Sequence, residues 1–528
     1  MRILVSDKLA NEGVEILKAE KGFEVDVKTG LKPEELKKII KDYDAIIIRS
    51  ATKLKADIIE AADNLKFIGR AGVGLDNVDL KAATKKGIVA INTPAGNTTS
   101  TAEQTMALIL ALSRNTPQAC ASLKSGKWER SKFGGVELRG KTLGVIGLGR
   151  IGSTVAFICK AFGMQVIAYD PFLSMEIAIQ KGVEMVEKLE ALLKVADYIT
   201  VHIPKSKETT DLISDKEFNL MKKTVRVINC ARGGIVNEAA LIRALQEGRI
   251  AGAAVDVYDQ EPPDFNSPLL QMENCIATPH LGASTDEAQI NVAVEIAETL
   301  KNALLGRGIM NAANFPSVSA EAYAVLEPYI DLAERMGKFS GQLLNGRIKK
   351  ITATYNGVLT KYKVDSVTMA LVNGLLYPVL GDMINSVNAL DVARERAIDV
   401  ESIVSNKEEE FVNLISAEVV TDQETFNVWG TLSANNKPRI VKVNKVYVEA
   451  IPDGYMIFIN NNDKPGIVGA VGTILAQENI NIAGITFGRE TAGGLAVSVV
   501  NVDSEVSQDT IDKIKKTKDV LFAKLIKV

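Results

Sequence analysis

Only two of the 528 residues are histidines, His202 and His280. A reaction that moves a proton through an imidazole at neutral pH must use one of them, since histidine's ordinary pKa, near ~6.5, suits that task. The four cysteines, Cys120, Cys159, Cys230 and Cys275, lie far apart with no C-x-x-C pair. This spacing points to reduced thiols in a cytoplasmic protein, without a disulfide framework or a metal site.

The strongest local motif is Gly147-Leu-Gly149-Arg150-Ile151-Gly152, which follows the apolar run Leu143–Ile146 and opens a helical pattern. In such a loop Gly147 makes the tight turn, Gly149 lets the backbone approach a pyrophosphate, and Gly152 lets helix and strand pack closely. The helix N-terminus supplies N–H donors and the positive end of a dipole. Asp170 ends the next strand candidate, Gln165–Tyr169, 18 positions after Gly152. Its carboxylate can accept from ribose hydroxyls and would repel a 2′-phosphate, so the expected cofactor is NAD rather than NADP.

These residues need a scaffold, and the chain alternates strand and helix patterns in the way a parallel sheet covered on both faces requires. Up to about residue 95 the strand candidates are Ile3–Val5, Phe23–Val27, Ala45–Ile48, Phe67–Gly69 and Val89–Ile91, separated by amphipathic segments such as Glu12–Ala19 and Pro33–Lys41. After a helical stretch at Ser100–Ser113, a second doubly wound unit runs to about 282, with further strands at Tyr198–His202, Val225–Asn229, Gly252–Val257 and Cys275–Thr278. Ala283–Leu305 is helical in pattern, and 315–445 mixes strand and helix signals. The last stretch reads strand, turn, helix, two strands, helix, strand, a ferredoxin-like order. The formal net charge is −3, with signs mixed along the chain, and no window approaches ~18 uninterrupted apolar residues. Neither nucleic acid nor a membrane is an expected partner.

Three more motifs follow the glycine loop in order: Asn229-Cys230-Ala231-Arg232-Gly-Gly, Asp256-Val-Tyr-Asp-Gln-Glu261-Pro-Pro and Pro279-His280-Leu-Gly282-Ala283-Ser-Thr. With them, residues 1–315 resemble the D-isomer-specific 2-hydroxyacid dehydrogenases. The resemblance implies that Arg232 holds the substrate carboxylate and carbonyl, that His280 is the acid/base, and that Glu261 supports it. It also implies that His202, Ile203, Pro204, Cys230, Ala231, Asp256, Gly282 and Ala283 flank the cofactor. The chemistry is consistent: oxidising a secondary alcohol sends a hydride to nicotinamide and a proton to a base. An arginine fork suits a planar carboxylate. The thiol of Cys230 could act as a nucleophile only beside an activating base, and no further histidine is present.

Two features narrow the resemblance to members that oxidise D-3-phosphoglycerate. The first is a set of loops, Arg49-Ser50-Ala-Thr-Lys and Gly69-Arg70-Ala-Gly72-Val-Gly, where paired arginines could neutralise a phosphate and a carboxylate. Trp128-Glu-Arg130 matches a segment that reaches a neighbouring subunit's cleft, which makes Arg130 a third candidate and implies a homo-oligomer, dimer or tetramer. The second is a C-terminal extension of about 200 residues beyond 315. It resembles an intervening domain followed by an ACT regulatory module with Asn461, Asp463 and Asn481 at effector positions, where L-serine is the effector implied. Some serine-inhibited members have histidine where this chain has Asn461.

The expected organisation is a discontinuous substrate domain (1–95 plus 283–315), a Rossmann NAD domain (96–282), an α+β intervening domain (316–445) and an ACT domain (446–528). The alternatives that stay open are another 2-hydroxyacid dehydrogenase, such as a glyoxylate, hydroxypyruvate or 2-hydroxyglutarate enzyme, and an NADH-sensing binding protein.

Overall fold

Aliphatic runs too short for helices form the strands, and the amphipathic segments between them cover the sheets. The computed structural model describes residues 1–407 and 410–528. The first sheet contains Arg2–Val5 (β1), Glu24–Val27 (β2), Ala45–Ile48 (β3), Phe67–Arg70 (β4) and Val89–Ile91 (β5). All are parallel, in the order β2-β1-β3-β4-β5. One face packs on the helix Asp286–Leu304, whose Val292, Ile296 and Leu300 join Ile3, Val5 and Ile47 in one core. The other face carries Leu36, Ile40, Ile58 and Ile59. The chain thus leaves this sheet after β5 and returns to it about 200 residues later.

The second sheet contains Thr142–Ile146 (β6), Gln165–Tyr169 (β7), Glu184–Met185 (β8), Tyr198–Val201 (β9), Arg226–Asn229 (β10), Gly252–Val255 (β11) and Cys275–Ala277 (β12). It is parallel throughout, in the order β12-β11-β10-β9-β6-β7-β8. The order reverses between β6 and β9, the position where doubly wound sheets bind ligands beyond their strand C-termini. Helices Thr98–Arg114 and Arg150–Ala161 cover one face, and Leu189–Val195 and Glu238–Gln246 the other.

The third sheet contains Ile348–Tyr355 (β13), Asp399–Val404 (β14), Ile415–Thr421 (β15), Thr425–Leu432 (β16), Pro438–Val443 (β17) and Val446–Ala450 (β18). It is mixed, with β13 and β14 parallel and the other pairs antiparallel. The fourth contains Tyr455–Asn462 (β19), Ile482–Arg489 (β20), Leu495–Val502 (β21) and Val520–Lys527 (β22), ordered β20-β21-β19-β22 and antiparallel between neighbours. With helices Ile467–Gln477 and Gln508–Lys515 this is the ferredoxin-like unit. Helix Ala320–Leu343 joins the two sheets in one core, and its Phe339 meets Phe458 edge to face at 5.9 Å.

The two doubly wound sheets, the α+β unit and the ferredoxin-like unit are the architecture expected from the pattern. One boundary is corrected. Residues from 446 read as the opening strand of the last unit, but Val446–Ala450 pairs with β17 through a turn at Asn444, so the ferredoxin-like unit begins at Tyr455. Alternation identifies a strand but does not say which sheet it joins. No helix among the described residues is long and apolar enough to cross a membrane.

Candidate active site

The strands of both parallel sheets end at one cleft of about 650 Å³. Arg49 and Ser50 follow β3, Arg70 ends β4 and Gly72 lies two residues beyond, while Arg232 follows β10 and His280 lies in the loop after β12. Glu261 and Ala283 also line the cleft.

His280 and Glu261 meet directly, with Nδ1 2.8 Å from Glu261 Oε2. Glu261 Oε1 accepts from the Tyr258 backbone amide at 3.2 Å, which fixes the carboxylate. His280 adopts a left-handed φ of 55° in a loop organised by Asp256. That carboxylate is fully buried and accepts from the Thr278 hydroxyl at 2.5 Å and from the amides of Leu281 and Gly282, both at 2.8 Å. The family resemblance implies that Asp256 flanks the cofactor. Its first task here is to hold the backbone that presents His280, because a buried carboxylate must find donors. Gly282 in turn accepts from Ser100 and Thr101 at the start of the long helix Thr98–Arg114.

The cleft is strongly cationic. The Arg70 guanidinium is pushed down to about 10 by burial, with Arg232 and Arg49 adding repulsion. Its Nε has no hydrogen-bond partner among the described residues. Burial also lowers Arg49, whose Nη1 donates to the Lys8 carbonyl at 3.1 Å. Unsatisfied buried guanidinium hydrogens beside further positive charge form a site for an anion. Gly72 has φ 145°, and a Cβ there would collide with the Arg70 guanidinium, so the loop lies directly under the arginine. Arg232 donates from Nε to Asp76 Oδ2 at 3.2 Å and from Nη1 to the Ala231 carbonyl at 2.7 Å.

The glycine loop has the geometry a dinucleotide requires. Gly147 has φ 92°, and a Cβ on Gly152 would collide with the Gly147 carbonyl oxygen, whereas a Cβ on Gly149 would meet nothing within 4 Å. Space is therefore kept in front of the helix Arg150–Ala161, whose N-cap Gly149 supplies no side-chain acceptor for the first amides. Arg150 is exposed and Ile151 half-buried at that end. Asp170 accepts from Leu148 N at 2.9 Å and Phe172 N at 3.0 Å, and its remaining lone pairs can serve ribose hydroxyls. The residues fit NAD.

His202 follows β9 and its Nε2 lies 2.9 Å from the Thr200 hydroxyl. Burial pushes its pKa down to about 3, so it is neutral at physiological pH. The amide of His202 bonds to Ile146 just before the glycine loop, and Ile203 lies against Gly147, with Pro204 exposed beyond. The Cys230 thiol is pushed up to about 12 by burial, which keeps it protonated at neutral pH and disfavours a thiolate nucleophile there. Ala231 follows it, half-buried.

Two groups of expected residues stand outside this cleft. Arg130 is exposed in a turn at Arg130–Phe133 and does not line the cleft of its own chain. The three effector candidates fall into two places within one chain. Asn461 is buried and takes the Ser498 hydroxyl at 3.3 Å, and nearby Asp463 pairs with Arg489 at 2.9 Å. Asn481 instead bonds to Asp503 at the other end of the sheet. Strands β19 and β20 run in the same direction, so the start of one lies a full strand length, roughly 20–25 Å, from the end of the other.

Sequence reasoning missed Asp7, which accepts from Arg49 N at 2.6 Å and from Thr52 N and Oγ1 at 3.1 and 2.7 Å, so it shapes the loop that carries Arg49. It also missed Asp76. Asp7 carried one available signal, an acid two residues past the first strand; Asp76 carried none, because its partner lies 156 residues away.

Comparison with known proteins agrees with this geometry. Residues 106–282 match the NAD-binding domain of the D-isomer specific 2-hydroxyacid dehydrogenases. The fold and cleft are those of that class of NAD-dependent enzymes. Residues 325–444 match the D-3-phosphoglycerate dehydrogenase intervening domain, and 455–519 match the ACT domain. The chain is 44% identical to D-3-phosphoglycerate dehydrogenase of Archaeoglobus fulgidus over the whole of both chains. It is 45% identical to that of Methanocaldococcus jannaschii over 98% of both, and 41% identical to that of Bacillus subtilis over 99% of both. The chain therefore belongs to the D-3-phosphoglycerate dehydrogenase family. A solved D-lactate dehydrogenase from Aquifex aeolicus, complexed with NAD and lactic acid, is similar over 58% of this chain and 96% of its own, at 32% identity and a TM-score of 0.52.

Proposed function

We propose that this enzyme oxidises D-3-phosphoglycerate to 3-phosphohydroxypyruvate with NAD, the first step of the phosphorylated route to L-serine. The observation that carries this reading is the arginine cluster of Arg49, Arg70 and Arg232 in the cleft that also holds the His280–Glu261 pair. A phosphate and a carboxylate on one substrate answer that concentration of charge, whereas a simple hydroxy acid answers only part of it.

In this reading Arg232 holds the substrate carboxylate and polarises the oxygen at C2, and Arg49 and Arg70, with Ser50 and Gly72, take the phosphate. His280 receives the hydroxyl proton as the alcohol becomes a ketone, and Glu261 fixes its tautomer and stabilises the imidazolium. NAD, held on the glycine loop and Asp170, accepts the hydride. The neutral His202 and the Cys230 thiol act as cofactor wall. Arg130 serves a neighbouring subunit's cleft. The exposure of Trp128 and Phe157 (81% and 75%) supports a homo-oligomer, dimer or tetramer. The ACT unit supports amino-acid feedback, with L-serine the first effector to test, and the four unbridged cysteines support a cytoplasmic location.

The test is product identity. D-3-phosphoglycerate and NAD are incubated with the enzyme and the 2-oxo product is trapped with phenylhydrazine for mass spectrometry. The phosphohydroxypyruvate hydrazone is expected from the D isomer and not from the L isomer; equal yields from both, or none, contradict the assignment.

A further inference from the structure

Arg232 leaves β10 in the NAD-binding sheet, while Asp76 follows β4 in the other sheet, so their ion pair crosses the cleft. The bond is from Nε to Oδ2 at 3.2 Å, and the Ala231 carbonyl takes Nη1 at 2.7 Å. Two protein acceptors thus fix the plane of the guanidinium, leaving Nη2 and one hydrogen of Nη1 for a ligand. A Cβ on Gly74 would collide with Arg232 Nη2 and lie 2.6 Å from Asp76 Oδ2, so glycine at 74 is what lets the arginine lie across this loop. The Asp76 carboxylate also offsets the mutual repulsion of Arg70 and Arg232.

We propose that Asp76 is a positioning residue for the oxidation: from the opposite wall of the cleft it orients the Arg232 fork toward the C2 carboxylate and oxygen. The proposal deepens the function given above and rests on it. Asp76 does not touch the reacting atoms; it acts through Arg232. An arginine side chain has many rotamers, and fixing its plane before substrate arrives favours the geometry of the transition state.

The charge of Asp76 makes the alternative distinguishable. If it only screened the cleft, removing it would tighten binding of an anionic substrate and lower KM without lowering kcat. If it positions Arg232, its loss lowers kcat. Asp76 is largely exposed, so a folding defect is not expected from its substitution.

The experiment measures kcat and KM for D-3-phosphoglycerate in the full-length enzyme, with NADH affinity and the thermal midpoint as controls. Asp76→Ala is expected to lower kcat about tenfold, with little change in KM, NADH affinity or midpoint. Asp76→Asn keeps an acceptor oxygen and is expected to recover most of that loss. In an Arg232→Lys background, which lacks the fork, Asp76→Ala is expected to change kcat less than twofold, the non-additivity of residues acting as a unit. An unchanged or raised kcat in Asp76→Ala overturns the proposal, as does a lowered KM alone, or the same fold loss in both backgrounds. Wild-type enzyme that does not turn over D-3-phosphoglycerate overturns the assigned function instead.

Discussion

Asp256 holds His280 without touching it: its buried carboxylate accepts from Thr278, Leu281 and Gly282 on either side of the histidine, and the imidazole is left to pair with Glu261 at 2.8 Å. His280, the proposed acid/base group, is thus fixed twice, through its backbone by one carboxylate and through its ring by another. Removing the ring leaves the cofactor loop intact. His280→Ala is expected to lower kcat by roughly a thousandfold, while NADH affinity, measured by fluorescence titration, stays within about twofold of wild type.

Arg70 is half-buried, its Nε has no hydrogen-bond partner among the described residues, and in the proposed reading its ligand is the substrate's phosphate. Arg70→Met is expected to raise KM for D-3-phosphoglycerate by roughly 10–100-fold, the range for losing a charge-assisted hydrogen bond. Kinetics with D-glycerate, which lacks the phosphate, should be nearly unchanged. A parallel loss on both substrates would place Arg70 at the carboxylate.

Asp170 joins the glycine loop to the end of β7, because one of its oxygens accepts from Leu148 N. Asp170→Ala should therefore weaken NAD binding and, by removing a negative charge, improve use of NADP. The expected change in the NAD/NADP ratio of kcat/KM is at least tenfold toward NADP. A wild-type enzyme that already prefers NADP would contradict the role given to this carboxylate.

His202 sets an acid limit on stability. Its folded pKa is pushed down to about 3 by burial, against ~6.5 in the unfolded chain. Between these values the unfolded state binds the extra proton, so stability is complete above pH ~6.5 and falls as pH drops toward 3. At pH 4.5 the loss from this one group is roughly 2–3 kcal/mol. His202→Asn should lose less stability than wild type between pH 7 and pH 4.5 in urea unfolding, and the pH dependence of turnover between 6 and 9 should not move.

Much of this was legible in the sequence, and the reasons are specific. The glycine loop, Arg232, Glu261 and His280 lie in short local motifs whose order survives without knowledge of the fold. Strands such as Ala45–Ile48 and Gln165–Tyr169 were readable because they are aliphatic runs bounded by breaks. What could not be read depends on register or on contacts between distant segments. Val446–Ala450 alternates like any strand, and only pairing assigns it to the third sheet. Asp463 and Asn481 share a domain, but β19 and β20 run in the same direction on either side of β21, which places the two residues at opposite ends of the sheet within one chain. Asp76 and Arg232 meet through the closing together of two sheets, which no local pattern encodes.

In the proposed function, the cationic cleft beside His280 selects a phosphorylated D-hydroxy acid. The most direct measurement is NADH formation by the purified enzyme with NAD and either D-3-phosphoglycerate, D-glycerate or D-2-hydroxyglutarate, expressed as kcat/KM. A preference for D-3-phosphoglycerate of at least a hundredfold over D-glycerate is the predicted result. Equal efficiency with the unphosphorylated acid would contradict it.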